Sequence, residues 1–182
     1  MAGPVLVTGG VRSGKSRHAE SLVSQADSVT YVAPGPRPDV EQDPDWSARV
    51  ALHRERRPAH WSTVEGVDLA AAVRSARGPV LVDCLGTWLT GVIDAAQAWE
   101  ASSEEAYDLV RRELDGVTAS LRERADSGQG PTVVVTNEVG WGVVPVHRSG
   151  RLFRDLLGVT NQAVAEVCDE VHLVVAGRVL VL

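Results

Sequence analysis

The stretch Gly9-Gly10-Val11-Arg12-Ser13-Gly14-Lys15-Ser16 reads G-x-x-x-x-G-K-S. It follows the apolar run Val5-Leu6-Val7 and precedes a helix-like segment over residues 17–25, with Ala19, Leu22 and Val23 as its buried face. A strand, a glycine loop and a helix start, in that order, make this pattern a phosphate cradle rather than a plain turn. Glycines let the backbone wrap an anion, and the helix start offers unpaired N–H groups and the positive end of its dipole. Lys15 is placed to reach the β- and γ-phosphates, and the Ser16 hydroxyl to sit on Mg²⁺. Of the eighteen basic residues Lys15 is the only lysine, the other seventeen being arginine. A chain that uses arginine everywhere else keeps lysine where a compact ammonium suits a phosphate better than a guanidinium fork.

The 182 residues fit a single domain, 1–182, able to bury a real core. Apolar content of 44% and charged content of 23% are those of an ordinary soluble globule, and no apolar run is long enough to span a membrane. The N-terminus runs straight into the first strand without the pattern of a signal peptide. Cys84 and Cys168 form neither a disulfide framework nor a C-x-x-C pair. These features point to the cytoplasm. A net charge of −6 argues against a nucleic-acid surface, which needs a basic field.

Residues 29–33 read as a second strand, ended by Pro34-Gly35-Pro36. The Pro- and acid-rich stretch 34–45 reads as a mobile surface loop, either a lid or a solvated connection. Asp45 can cap a helix running from 46 to about 56, stopped by Pro58. On it Arg49, His53 and Arg56 or Arg57 share one face. That face is either a solvated basic stripe or a phosphate-binding surface carrying an imidazole. A short strand or edge segment over 60–65 and a helix over 67–77 come next. Val80-Leu81-Val82-Asp83 is a buried strand ending in a carboxylate, the arrangement in which an aspartate holds Mg²⁺; the plain alternative is a turn cap.

Most of 87–98 reads as helix, and Ser102 with Glu105 forms a capping box opening an amphipathic helix. Residues 132–136 form another buried strand, ending in Asn137-Glu138, at the end of a parallel strand where open α/β sheets bind ligands. A helix carrying Arg148, Arg151 and Arg154, a helical stretch over 161–168 and a hairpin over 171–182 close the chain. These arginines read either as phosphate contacts or, for at least two of them, as a surface basic stripe. The whole is a doubly wound α/β domain, a mostly parallel central sheet with helices on both faces and a C-terminal antiparallel hairpin.

Four stretches together resemble one family, the bifunctional adenosylcobinamide kinase/adenosylcobinamide-phosphate guanylyltransferases of cobalamin biosynthesis. They are 6–20 around the glycine loop, Arg49-Val50-Ala51-Leu52-His53 with Arg57-Pro58-Ala59-His60-Trp61, Thr136 to Pro145, and Phe153-Arg154-Asp155 with Gly158 and Asn161-Gln162. The resemblance implies a RecA-like P-loop fold, a homotrimer, and two reactions at one nucleotide site. ATP or GTP phosphorylates the aminopropanol hydroxyl of adenosylcobinamide; GTP then gives GMP to an enzyme histidine, and the phosphorylated corrinoid takes it to form adenosylcobinamide-GDP. It implies His53 as the guanylylated residue and places Ala33, Pro34, Gly35, Arg54, Glu55, Arg56, Arg57, Glu65 and Asp83 along the guanine nucleotide. The chain departs from the family in three places. Leu52-His53 replaces a common histidine pair, Pro34-Gly35 stands where a hydroxyl pair is common, and Asp83 where glutamate also occurs.

The chemistry of the residues agrees. An imidazole, mostly neutral at pH 7, can attack a phosphoryl centre without a separate base, and neighbouring arginines can offset charge on the phosphate oxygens. The rival readings are a P-loop small-molecule kinase with His53 a bystander, and a non-catalytic nucleotide switch.

Overall fold

The computed structural model describes residues 3–35, 41 and 43–182, without the side chains of Arg49 and Arg56. Of the loop expected over 34–45, residues 36–40 and 42 therefore lie outside the described residues. Seven strands form one sheet in the order β3-β2-β4-β5-β1-β6-β7. They are β1 (Val5–Gly9), β2 (Thr30–Ala33), β3 (Ser62–Glu65), β4 (Val80–Asp83), β5 (Thr132–Val135), β6 (Glu170–Val175) and β7 (Arg178–Val181). Every pairing is parallel except β6 with β7, which closes the chain as the expected hairpin. β1, β2, β4 and β5 are almost wholly buried, as strands covered on both faces must be.

The two faces are covered unequally. α3 (Leu69–Ser75), α4 (Leu85–Ala95), α5 (Ser103–Ser127) and α6 (Arg148–Ala165) bury Val73, Leu89, Leu114 and Leu156 in the larger core. The smaller core on the other face is built on α1 (Lys15–Val23), through Ala19 and Val23, with Trp61. α2 (Pro44–Arg56) joins neither, and no side chain described on it is buried.

Two expectations change. The cap of α2 is Asp43, whose carboxylate accepts from the Trp46 N–H at 2.8 Å, while Asp45 falls inside the first turn behind Pro44. Proline belongs at that first position, where no backbone donor is needed. The two helical stretches expected around Arg148 and Asn161 are one helix, α6, running through Gly158, where a side chain would meet open space. The Ser102–Glu105 capping box is formed as read.

The end of the sheet opposite the glycine loop is tied by one side chain. Arg124 of α5, 3% exposed, donates to the carbonyls of Val73, Ala76 and Gly78 and to the Thr132 hydroxyl. Burial lowers its pKa. Five donors on a planar fork let one residue satisfy the end of α3, the turn before β4 and the start of β5 together.

Candidate functional site

β1 is held on both sides, by β5 and β6, so the loop that leaves it starts from a fixed point. Gly9 is needed for space: a Cβ there would lie 2.4 Å from the Val174 carbonyl oxygen and 2.7 Å from Ser13 Oγ. Gly14 is needed for conformation, with φ +98° just before α1. The hairpin turn braces the loop from behind, the Gly177 N–H donating to the Ser13 carbonyl at 2.8 Å. Lys15 opens α1, 6% exposed, and its ammonium donates to the Gly10 carbonyl at 3.1 Å, across the concave side of the loop.

One cleft gathers residues spread from the glycine loop to the end of β5. Lys15 and Ser16 lie at its floor. β4 and β2 bring Asp83, Ala33 and Tyr31, with Gly35 just beyond; α2 and the chain from its end through β3 bring Trp46, Val50, His53, Arg57 and Glu65. Trp46, Val50, His53 and Arg57 recur at helical spacing, so the face of α2 turned to the cleft is half apolar rather than a basic stripe. Arg49 and Arg56 were expected beside His53, but their side chains lie outside the described part.

The centre of the cleft is a compact polar cluster. Asp83 Oδ2 accepts from the Tyr31 hydroxyl at 3.0 Å and stands 3.7 Å from His53 Nδ1. The Arg57 guanidinium stacks on the Tyr31 ring, 3.4 Å from its centroid, and its Nη1 donates weakly to Thr63. Arg57 Nε is buried with no acceptor among the described residues. Burial and the adjoining Asp83 charge raise the Tyr31 pKa well above its ordinary value, so the phenol keeps the proton it donates. Cys84, next to Asp83, has its thiol pushed up by burial and that same charge, which leaves it un-ionised and a poor nucleophile.

Not every expected residue reaches this cleft. Gly9, Gly10, Ser13 and Gly14 shape the loop behind Lys15, while Val11 and Arg12 are exposed at its tip. Pro34 is buried beside the cleft; Arg54 and Glu55 are exposed, with Arg54 paired to Glu65. At Gly35 a Cβ would come within 3.2 Å of both Thr87 and Trp46, so the backbone packs closely there. Asn137 does line the cleft, in keeping with its place at a strand end. The arginines of α6 hold carbonyls: Arg148 those of Trp99 and Ala101, Arg151 those of Pro145 and Val146, Arg154 that of Gly140.

Tyr31 is the residue sequence reasoning passed over, reading it as part of a strand. The signal was there. A phenol in an otherwise apolar buried strand needs a partner for its hydroxyl. β2 and β4 pair with Tyr31 against Leu81, two residues short of Asp83.

Ser16 and Asp83 supply a hydroxyl and a carboxylate on one cleft, oxygen donors of the kind Mg²⁺ takes together with substrate phosphates. No group of three His, Cys, Asp or Glu able to cage a metal occurs among the described residues, and no described helix is long and apolar enough to cross a membrane.

Comparison with solved structures shows a P-loop NTPase architecture. The fold matches an ATPase of a type III secretion system of pathogenic bacteria with a TM-score of 0.59 at 11% identity, over 94% of this chain and 50% of that one, so it spans about half of that ATPase. A Pyrococcus horikoshii protein matches with a TM-score of 0.53 at 8% identity, over 98% and 85%. By sequence, the chain is 39% identical to the bifunctional adenosylcobalamin biosynthesis protein CobU of Salmonella typhimurium, over 95% of this chain and 96% of that one. It is 40% identical to the bifunctional adenosylcobalamin biosynthesis protein CobP of Pseudomonas aeruginosa, over 94% and 92%. The family model described as cobinamide kinase / cobinamide phosphate guanyltransferase matches residues 5–182. From the glycine loop to the closing hairpin, the chain belongs to the cobinamide kinase / cobinamide phosphate guanyltransferase family.

Proposed function

We propose that this enzyme phosphorylates adenosylcobinamide and then transfers GMP to the product through His53. The observation that carries the reading is the shared cleft: an imidazole, a stacked guanidinium and a carboxylate face the phosphate-cradle lysine across one nucleotide-sized space.

In the kinase step the corrinoid hydroxyl takes the γ-phosphoryl of ATP or GTP; its oxygen bonds to phosphorus, the bond to the β-phosphate oxygen breaks, and the hydroxyl proton is released. Lys15 and the loop N–H groups hold the phosphates, and this transfer is carried largely by positioning and charge. In the second reaction a nitrogen of His53 bonds to the α-phosphorus of GTP and pyrophosphate leaves. A phosphate oxygen of the corrinoid then bonds to that phosphorus and the P–N bond breaks, returning the imidazole. Asp83 lies on the Nδ1 side of the ring, 3.7 Å away, which supports attack by Nε2: a carboxylate near one ring nitrogen favours its protonated form and leaves the lone pair on the other. Arg57, with a buried N–H lacking an acceptor among the described residues, is a ready donor to phosphate oxygens. Glu65, Ala33 and Gly35 line the side of the cleft where the guanosine would lie, with Arg54 paired to Glu65 from outside it.

Mg²⁺, held by Ser16 and Asp83, would neutralise charge on the phosphates. A homotrimer is the expected assembly. The edge strand β7, with Val179, Leu180 and Val181 exposed, supports a contact between copies.

The test uses GTP labelled at either phosphate. α-Label should become covalently bound to the protein in the absence of corrinoid, be lost in acid and survive alkali; γ-label should not stay on. A protein that phosphorylates cobinamide but never takes α-label would be a kinase alone.

A further inference from the structure

The segment between β5 and α6, residues 136–147, exposes apolar side chains where a loop ordinarily carries polar ones. Val143 is 96% exposed, Val146 88% and Trp141 71%, with Val139 and Val144 also open to solvent. The backbone beneath them is tied down. Asn161 donates to the Asn137 carbonyl at 3.1 Å, Arg154 to that of Gly140 at 2.8 Å, and Arg151 to those of Pro145 and Val146 at 3.1 and 2.5 Å. Gly150 passes so close to Pro145 that a Cβ would lie 2.9 Å from the proline Cβ. α6 therefore commits three side chains to ordering a loop whose apolar groups bury nothing within the chain. Ordering backbone costs conformational entropy, and exposed apolar side chains on an ordered support mark a surface that meets a partner.

The position of the loop says which partner. It leaves the cleft at Asn137, whose side chain lines the nucleotide site. Lys15, Ser16, His53, Arg57 and Asp83 all line this one cleft, so a nucleoside triphosphate held by them fills it and leaves the corrin macrocycle outside. Only the aminopropanol arm can enter, and the ring must rest on surface continuous with the mouth. A macrocycle with a broad hydrocarbon face suits valines and an indole better than it suits charged groups.

We propose that the segment 139–146 is the corrinoid-docking surface, with Trp141 and Val143 against the macrocycle while its arm passes Asn137 into the cleft. This rests on the two-reaction reading above.

The experiment takes the full chain and the variants Trp141→Ser, Trp141→Phe and Val143→Ser, at positions exposed enough to leave folding intact. Three quantities are read: KM for cobinamide at saturating nucleotide, covalent GMP label formed without corrinoid, and mass by sedimentation. Trp141→Ser should raise the cobinamide KM about tenfold or more, the loss of about 1.4 kcal/mol of binding. Val143→Ser should raise it less, and Trp141→Phe should recover most of the loss. The label, which needs no corrinoid, and the mass should not change. An unchanged KM overturns the proposal, as does a drop in mass with KM intact, which would make the loop a contact between copies. Loss of label in step with the kinase rate also overturns it, because the loop would then serve the nucleotide. If the unaltered protein forms label but phosphorylates no cobinamide, the two-reaction reading fails first.

Discussion

Lys15 and His53 face the same cleft from elements of very different construction. Lys15 is 6% exposed, at the start of a helix that buries Ala19 and Val23, behind a strand paired on both sides. His53 stands on α2, no described side chain of which is buried, beside β3, an edge strand exposed throughout. The groups that any P-loop reaction needs are fixed in the core. The groups we propose for nucleotidyl transfer sit on an element the core does not own. Segments with few buried contacts open at low free energy. The histidine wall can therefore shift or be replaced at little cost to the fold, whereas the lysine wall cannot.

The sharpest way to break this comparison is Lys15→Ala. Both reactions should fall by at least about 10²–10³, the usual cost of removing a group that stabilises transition-state charge, with the fold retained by circular dichroism. Near-normal kinase turnover in the folded variant would mean that the two reactions do not share a cradle. His53→Asn should abolish GMP label and guanylyl transfer while kinase turnover and melting temperature stay close to those of the parent. Label persisting in that variant would move the nucleophile elsewhere, with His60 the next candidate.

Asp83→Asn lies between the walls. Loss of its charge should raise the Mg²⁺ concentration needed for half-maximal kinase rate and slow guanylylation, and an unchanged Mg²⁺ titration would reduce Asp83 to a partner of Tyr31. Tyr31→Phe keeps the ring beneath Arg57 and removes only the hydroxyl donor to Asp83. A hydrogen bond to a charged group contributes about 1.5–3 kcal/mol, so guanylylation should slow by roughly tenfold or more. A rate matching the parent would show that the phenol does not position the carboxylate.

The smallest effect concerns the lysine wall and pH. His18 of α1 meets His172 of β6 at 2.8 Å, and His172 in turn meets Glu170 at 2.7 Å. Burial, then the second imidazole, lower the His18 pKa below 6.5. As pH falls below about 6.5 the unfolded chain takes up a proton that folded His18 resists, so stability declines through that window until the lowered value is passed. Urea midpoints at pH 7.5 and 5.5 should differ less in His18→Gln than in the parent; equal differences would leave the pair without weight.

The lysine wall was legible because its pattern is local. A strand, five loop residues and a helix start are contiguous, and each follows from residue type. The second wall was legible only in parts: Asp83 was readable at its strand end and the His53 face was one of two alternatives, but nothing near either predicts that they meet. Tyr31 escaped because its partner appears only once β2 and β4 are in register. The α2 cap was misplaced because two aspartates flank Pro44, and only backbone geometry separates them. α6 was divided because the arginine-bearing stretch and 161–168 were read separately, although the buried Leu152, Leu156, Leu157, Thr160 and Val164 run along one continuous helix.

Arg124 gives the molecule a direction of opening. The carbonyls it gathers adjoin the strand starts, where the Thr30 amide bonds to Pro79 O and the Val80 amide to Pro131 O. Those amides should exchange their hydrogens for deuterium only through global unfolding, while amides of α2 exchange in far less time through local excursions. The protein would then work like a clam fixed at its base, with the histidine-bearing rim admitting nucleotide while the sheet beneath stays shut.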